Sequence, residues 1–366
     1  MPPAADWAAR ATAAERAVRT RSIRGVLALP GTALAVISDP PTWRHRLFLG
    51  WNYWWQAHLV DCLTDAQLRE PRPDRRRLIS RVVRSVRLLN AGRWTNDYYD
   101  DMAWLALALE RADQQIGTDH RRAVHRLTAE ILSAWSDAEG GGIPWRRGDE
   151  FKNTPANGPA EILLARTGHL DRAVSTADWT DRRLRDPATG LIWDGLRPGP
   201  VTSNGPTTIF ETTIFTYCQG VVLGAELELA VRLRSAHPES AGRLHRLVAA
   251  ITQHLTIDGV LTGHQGGDSG LFTGILARYL ALVAVHLPGT ATEDRLTRRR
   301  ATDLVLTSAA AAWSNARLLG DLPVFGPDWA RQAGDPAAGG PERDLSVQLS
   351  GWMLLEAAAA LTARTS

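Results

Sequence analysis

The chain has 366 residues, of which 44% are hydrophobic and 22% are charged. This composition is typical of a soluble globular protein, and we expect no membrane span, which needs a run of about 20 apolar residues. The net charge is only +3 and the basic residues are spread among 39 acidic ones, which argues against a nucleic-acid partner.

Helical periodicity dominates the chain from end to end. Clusters of Gly, Pro and Asn separate the periodic segments, as expected for turns between helices. The predicted helices are 5–21, 46–66, 75–90, 99–116, 119–136, 156–168, 170–184, 209–235, 240–254, 270–286, 292–316 and 345–363. No comparable set of alternating strands is visible, so the predicted fold class is all-α.

About twelve helices with loops of uneven length suit an (α/α)6 barrel, a toroid of six helical hairpins. An open helical solenoid is the alternative, and the sequence has no repeat at a fixed period that would favour it. No shift in composition marks a domain boundary. We therefore predict one domain over residues 1–366, with residues 1–44 and 326–343 partly irregular.

The N-terminus lacks the basic region and apolar stretch of a standard signal peptide. A cytoplasmic location is therefore favoured, with export left open. Cys62 and Cys218, the only cysteines, lack the spacing of a zinc site or a disulfide framework. We expect no metal, no cofactor and a monomeric protein.

Three aspartates lie at the start of the predicted helix 99–116, namely Asp97, Asp100 and Asp101, and four aromatic residues flank them. A single acid at a helix N-terminus is often only a cap or a partner of the helix dipole. Adjacent residues on a helix diverge by about 100°, which places two neighbouring carboxyl groups about 5–6 Å apart. Retaining glycosidases need about 5–5.5 Å, so the adjacency of Asp100 and Asp101 favours a retaining glycosidase.

The segment 96–109, Asn-Asp-Tyr-Tyr-Asp-Asp-Met-Ala-Trp-Leu-Ala-Leu-Ala-Leu, resembles the signature of glycoside hydrolase family 76, the endo-α-1,6-mannanases. Further blocks resemble the family in the expected order at 53–57, 141–145, 151–159, 190–195, 216–220 and 268–280. The resemblance covers roughly residues 45–285 and implies an (α/α)6 barrel that hydrolyses α-1,6-linked mannan with retained configuration. By this resemblance Asp100 is the nucleophile and Asp101 is the general acid/base.

The same blocks nominate residues for sugar contacts. They are Trp54, Trp55, Gln56, Asn96, Asp97, Tyr99, Trp104, Trp145, Asn153, Asn157, Asp194, Tyr217, Gln219 and Asp268. Structural roles compete at several of these positions. Helix capping explains at least one of Asn153 and Asn157 equally well, and Asp194 and Asp268 each lie beside a glycine, where turn formation is the default.

Two departures from the family pattern bear on the substrate. Cys218 stands where the family usually has an asparagine, and the segment 22–44 precedes the first aromatic block as an insertion. These differences leave the fold and the reaction type unchanged. The identity of the polymer that the protein cleaves stays open.

Two other functions compete with hydrolysis. A sugar-binding toroid without catalysis would use the same tryptophans and amides, although retention of both Asp100 and Asp101 argues against it. An aspartate-rich magnesium site of an isoprenoid enzyme would need a second acidic motif. Glu226 and Glu228 are the nearest acidic pair on another long helix, and their i, i+2 spacing directs them to different faces.

Overall fold

The computed structural model describes residues 6–203 and 205–363. Thirteen α-helices lie within these residues. They are α1 (Trp7–Ser22), α2 (Trp43–Arg46), α3 (Tyr53–Arg69), α4 (Pro73–Leu89), α5 (Tyr99–Ile116), α6 (Arg121–Ser133), α7 (Thr154–Arg166), α8 (Leu170–Leu184), α9 (Thr216–Leu233), α10 (Glu239–His254), α11 (Phe272–His286), α12 (Thr292–Ser314) and α13 (Leu345–Thr362).

Short antiparallel strands lie only in the loops between the helices. Those in the described part of the chain are β1 (Ile23–Arg24), β2 (Leu34–Ala35), β3 (Lys152–Asn153), β4 (Gly195–Pro198), β5 (Thr208–Glu211), β6 (Thr256–Ile257), β7 (Val260–Leu261), β8 (Arg317–Leu319) and β9 (Leu322–Val324). The largest sheet has three strands in the order β3-β4-β5, with Asn153 opposite Gly195 and Gly195 opposite Glu211.

Six long helices form a closed inner ring. Helices α3, α5, α7, α9, α11 and α13 contact one another in this order, and α13 returns to contact α3. Helices α4, α6, α8, α10 and α12 each pack outside the inner helix that precedes them in the chain, and α1 packs outside α13. The predicted (α/α)6 toroid is confirmed, and the contact between α13 and α3 excludes an open solenoid.

The residue patterns of the helices match their layers. Outer helix α4 buries Leu78, Ile79, Val82 and Val86 on one face, while arginines occupy much of the other. Inner helices are covered on several sides and are apolar around most of their circumference. Two segments, Gly267–His286, which includes α11, and Leu345–Thr362, which is α13, are long and apolar enough to cross a membrane by composition alone. In the fold, however, 67% and 78% of their most apolar stretches are buried inside the protein.

The inner helices all run in the same direction, because each is followed by an outer helix that returns the chain. Their N-termini therefore meet at one rim of the toroid and their C-termini at the other. Arginines of α5 and α11 lie toward the C-terminal rim, where Arg111 and Arg278 both bridge Asp61 and Asp65 of α3. The cations complement the negative ends of the helix dipoles.

Two predicted helix starts were wrong. The helix predicted at 46–66 begins at Tyr53, because Phe48 and Asn52 have positive φ angles of 55° and 44° that no helix accommodates. The helix predicted at 209–235 begins at Thr216. The stretch before it is rich in the β-branched residues Thr and Ile and pairs as strand β5 with β4.

The insertion-like segment 22–44 forms a structured edge of the barrel. Its strands β1 and β2 pair, and the backbone of Ile37 and Asp39 bonds to residues 343–345 at the start of α13. Arg81 of α4 donates to the carbonyl of Thr32. The segment thus joins α13, α3 and α4 on the outside of the ring.

A buried pair of acids between inner helices makes stability depend on pH. Burial, with the nearby charge of Glu226, raises the pKa of Glu161 well above its ordinary value of 4.5. The folded protein therefore holds a proton that the unfolded chain releases above about pH 4.5, so the pair loses stability as pH rises.

We expect Glu161→Gln to remove this penalty, because the amide carries no charge to bury. The free energy of unfolding, measured by urea denaturation, should improve relative to wild type by at least about 1 kcal/mol between pH 5 and pH 8. Glu228→Gln is the matched control on α9. Glu228 accepts a hydrogen bond from Arg166, so its neutralisation should destabilise the protein. An unchanged pH slope in Glu161→Gln would contradict the prediction.

Candidate active site

Two consecutive carboxylates occupy the first turn of α5 at the N-terminal rim. The indole Nε1–H of Trp145 donates to Oδ2 of Asp100 over 3.1 Å. Oδ1 of Asp100 is buried and has no hydrogen-bond partner among the described residues. The side-chain amide of Asn96 donates to Oδ2 of Asp101 over 2.6 Å. Each acid is therefore held by one donor from a neighbouring loop.

Burial and mutual repulsion separate the two acids. Burial raises the pKa of Asp100 to about 6, and hydrogen bonds from the backbone N–H of Asp101 and from the indole of Trp145 oppose that rise. Burial and the charge of Asp100 raise the pKa of Asp101 well above its ordinary value. The charge of Asp100 disfavours ionisation of Asp101, so Asp101 is the acid of the pair that holds its proton more strongly. One acid is available as a nucleophile or base and the other as a proton donor.

A third carboxylate, Asp268, lies in the short 3-10 helix that precedes α11. Its Oδ1 accepts from the indole nitrogens of Trp54 and Trp55 over 3.2 and 2.9 Å. Its charge contributes to the raised pKa values of both Asp100 and Asp101. The contact links the first turn of α3 to the segment before α11 across the rim.

A fourth acid, Asp194, enters from the loop before β4. Its backbone N–H donates to Thr213 and its carbonyl accepts from Thr154, so neighbouring loops hold its main chain from both sides. Burial, followed by the charges of Glu211 and Asp100, raises the pKa of Asp194 to about 7. The site therefore contains four carboxyl groups whose charges influence one another.

Aromatic rings line the wall formed by α9 and α11. Tyr217 and Phe272 stack with ring centroids 3.9 Å apart, and Phe215 and His264 pack against Phe272 at 5.3 Å each. Phe215, His264 and Phe272 were not among the predicted site residues. Phe215 and Phe272 lie near predicted residues at the starts of α9 and α11, whereas His264 lies in the loop after β7 and had no such signal.

Three amide residues predicted to bind sugar have structural roles. Gln56, Asn157 and Gln219 are fully buried, and each bonds the backbone of a loop residue, respectively Ala35, Ile143 and Ile192. Asn153 caps α7 by accepting from the N–H of Ala156. These hydrogen bonds give all four residues a role in the scaffold.

The remaining predicted residues lie at different depths. Trp104 is buried one turn below the pair, with its ring 4.5 Å from that of His58. Tyr99 is buried at the first position of α5, and the guanidinium of Arg147 lies over its ring at 5.6 Å. Asp97 is exposed at the rim, and its carbonyl accepts from the N–H of Arg147.

The second acidic motif that an isoprenoid enzyme would require is not formed. Glu226 is buried against Arg243, and Glu228, two residues further along α9, pairs with Arg166 and Arg232. Within residues 6–203 and 205–363, no group of three or more His, Cys, Asp or Glu side chains could hold a metal ion.

A closed α/α toroid whose rim carries paired carboxylates among indole and phenol rings defines the protein as a glycoside hydrolase of the toroid class. The family model for glycosyl hydrolase family 76 matches residues 30–364. The chain therefore belongs to glycoside hydrolase family 76.

Solved structures of family members are similar over nearly the whole chain. An α-1,6-mannanase from Salegentibacter sp. HEL1_6 is 27% identical with a TM-score of 0.83, covering 97% of this chain and 100% of the other. An inactive variant of that enzyme, with two consecutive aspartates replaced by asparagine, was solved with α-1,6-mannotriose at the same identity, coverage and TM-score. A family 76 mannosidase from Bacteroides thetaiotaomicron is 15% identical with a TM-score of 0.77, covering 99% of this chain and 100% of the other. No curated protein matches the chain significantly.

We expect Asn96→Asp to raise the pKa of Asp101 further, because a second carboxylate would replace the amide that donates to it. The new side chain keeps an acceptor for the N–H of Tyr98, which Asn96 now provides. The measurement is a ¹³C NMR titration of aspartate carboxyl groups, with Asp101→Asn used to assign the signal.

Asn90→Asp is the matched control for Asn96→Asp. The amide of Asn90 donates only to the carbonyls of Arg93 and Thr95 in the same rim loop. The Asn90→Asp variant should therefore leave the titration of Asp101 near that of wild type. If Asn96→Asp also left that titration unchanged, the hydrogen bond would not be holding Asp101.

Proposed function

We propose that this protein hydrolyses α-1,6-linked mannan-type glycans with retention of configuration, with Asp100 as the nucleophile and Asp101 as the general acid/base. The observation that carries the proposal is the unequal environment of the two acids. One oxygen of Asp100 is held by Trp145 while the other lacks a hydrogen-bond partner among the described residues. The higher pKa of Asp101 keeps a proton on that acid.

The reaction takes place in two displacements. The free oxygen of Asp100 attacks the anomeric carbon, the glycosidic C–O bond breaks, and Asp101 donates its proton to the departing oxygen. Asp101, now ionised, then removes a proton from water. The water oxygen attacks the anomeric carbon and releases Asp100, so two inversions give net retention.

Mannan specificity is supported by the family and by the relatives. The Salegentibacter enzyme is an α-1,6-mannanase, and its inactive form with two consecutive aspartates replaced was solved with α-1,6-mannotriose. In this chain the indole of Trp145 donates to Asp100 and the indole of Trp54 donates to Asp268. Burial, together with the charges of Asp194 and Asp100, raises the pKa of Tyr217. Such rings stack on the C–H faces of sugars, while Asp194 and Asp268 accept hydrogen bonds from hydroxyl groups.

Replacing each acid separately should distinguish their roles. Asp100→Asn removes the nucleophile and should abolish hydrolysis of natural and activated substrates alike. Asp101→Asn should lower hydrolysis of α-1,6-mannan about 10²–10⁴-fold. With an activated aryl mannoside it should still form the glycosyl-enzyme, which accumulates because water lacks a base. Intact-protein mass spectrometry would detect this adduct.

An adduct in Asp100→Asn but not in Asp101→Asn would reverse the two roles. A first product of the opposite anomeric configuration, followed by ¹H NMR, would reject the retaining mechanism. Binding of mannan by the wild-type protein without release of reducing ends would favour the sugar-binding alternative over hydrolysis.

The pH dependence of hydrolysis follows from the same two acids. Asp100 must be ionised to attack, so kcat/KM should fall as pH drops through about 6. Activity should fall again at higher pH, where Asp101 loses its proton. Initial rates between pH 4 and pH 9 test this, with circular dichroism at each pH to show that the fold persists. A profile that is flat from pH 4.5 to 7 would contradict it.

A further inference from the structure

Within the described residues, four inner helices share the same side-chain hydrogen-bond pattern. The fourth residue of α3, α7, α9 and α13 is an amide, respectively Gln56, Asn157, Gln219 and Gln348. Each amide oxygen accepts from the backbone N–H of one residue in the connection before its helix, and the amide nitrogen donates to the C=O of that same residue. The amide nitrogen also donates to a second carbonyl, which lies shortly before the helix.

The amide on α7 fixes the loop that carries Trp145. Oδ1 of Asn157 accepts from the N–H of Ile143 over 2.9 Å, and Nδ2 donates to the carbonyls of Ile143 and Asn153 over 2.9 and 2.8 Å. Asn157 is 0% exposed, so water does not compete for these bonds. Both polar groups of Ile143 are therefore satisfied by one rigid side chain.

Two residues further along, Trp145 is held at three points. Its N–H donates to the carbonyl of Phe151 over 2.7 Å, and its carbonyl accepts from the N–H of Tyr99 over 2.9 Å. Its indole donates to Oδ2 of Asp100. Tyr99 directly precedes Asp100, so the loop contacts both the backbone and the side chain at the start of α5.

The other end of the same loop is fixed independently. Nζ of Lys152 donates to the carbonyls of Ser136, Ala138 and Gly141 over 2.9, 2.6 and 2.6 Å. Gly142 has a φ of 84°, and an added Cβ would lie 3.0 Å from the ring of Trp179. With residues 136–142 held in this way, Asn157 fixes Ile143, the next residue of the loop toward Trp145.

We propose that Asn157 is a positioning residue for the nucleophile, holding the backbone of Ile143 so that the indole of Trp145 stays hydrogen-bonded to Asp100. The proposal rests on the role of Asp100 given above. It assigns Asn157 to the orientation of a carboxylate instead of a sugar contact. Loss of the clamp frees the loop, and Asp100 then loses the donor that orients one of its oxygens and favours its ionised form.

The test compares Asn157→Leu with Gln348→Met, two nearly isosteric changes that remove the same kind of clamp. Gln348 holds Phe325, in the loop between α12 and α13, and does not belong to the proposed catalytic machinery. With an α-1,6-mannotetraose substrate, Asn157→Leu should lower kcat about tenfold or more, with a smaller change in KM. The acid limb of its pH profile should shift upward, whereas Gln348→Met should keep the wild-type limb.

Trp145→Phe should reproduce the shift of the acid limb, because it removes the indole donor directly. This variant also keeps the proposal testable if Asn157→Leu does not fold, which urea denaturation would reveal. A wild-type acid limb in Trp145→Phe or in folded Asn157→Leu would overturn the proposal. An equal shift in Gln348→Met would also overturn it, since the effect would then follow from lost stability alone.

A second readout separates this proposal from the proposed function. The ¹³C titration of the Asp100 carboxyl, assigned with Asp100→Asn, needs no turnover and should move to higher pH in Asn157→Leu but not in Gln348→Met. If wild type hydrolyses no mannan while this titration still shifts, the proposed substrate fails and the positioning role stands. If the titration does not shift, the positioning role fails whatever the substrate.

Discussion

The parallel arrangement of six inner helices is the constraint on which the rest of the structure depends. Because α13 closes on α3, the N-termini of all six inner helices meet at one rim. N–H groups that have no partner within their own helix and the positive ends of the helix dipoles lie there, which favours anionic groups. Asp100 and Asp101 lie at the start of α5 and Asp268 lies just before α11, while Arg111 and Arg278 lie toward the opposite rim.

The proximity of the acids at this rim determines their pKa values. Four carboxyl groups in one partly buried cleft cannot all ionise easily, and burial raises the pKa values of Asp100, Asp101 and Asp194. The difference between Asp100 and Asp101 then depends on their neighbours. Trp145 donates to Asp100 and Asn96 donates to Asp101, and the charge of Asp100 further raises the pKa of Asp101. The backbone N–H of Asp101 and the indole of Trp145 both lower the pKa of Asp100, while the charge of Asp100 raises that of Asp101, so two adjacent identical residues have different pKa values.

The polar residues of the rim divide into two groups with different tasks. Carboxylates and aromatic rings are left facing the cleft, where a sugar could contact them. The amides Gln56, Asn157, Gln219 and Gln348 are directed into the backbone of the entering loops, so that these loops have fixed positions without regular secondary structure. A rigid rim of this kind supplies preorganisation, because the loop donors need not move when charge develops at the anomeric carbon.

The sequence by itself determined the helical class, the toroid and the family, because helical periodicity and an ordered set of local blocks are readable along the chain. It predicted α5 at its exact bounds and identified the aspartate pair on it. It misplaced the starts of α3 and α9, where local backbone geometry and strand pairing override periodicity. It also could not distinguish an amide that binds sugar from one that holds a loop, since Asn157 and Ile143 are 14 residues apart and meet only in the fold. The repeated amide at the fourth helical position was invisible for the same reason: its partners lie at different sequence distances, and only the closed ring places each of them beside its helix.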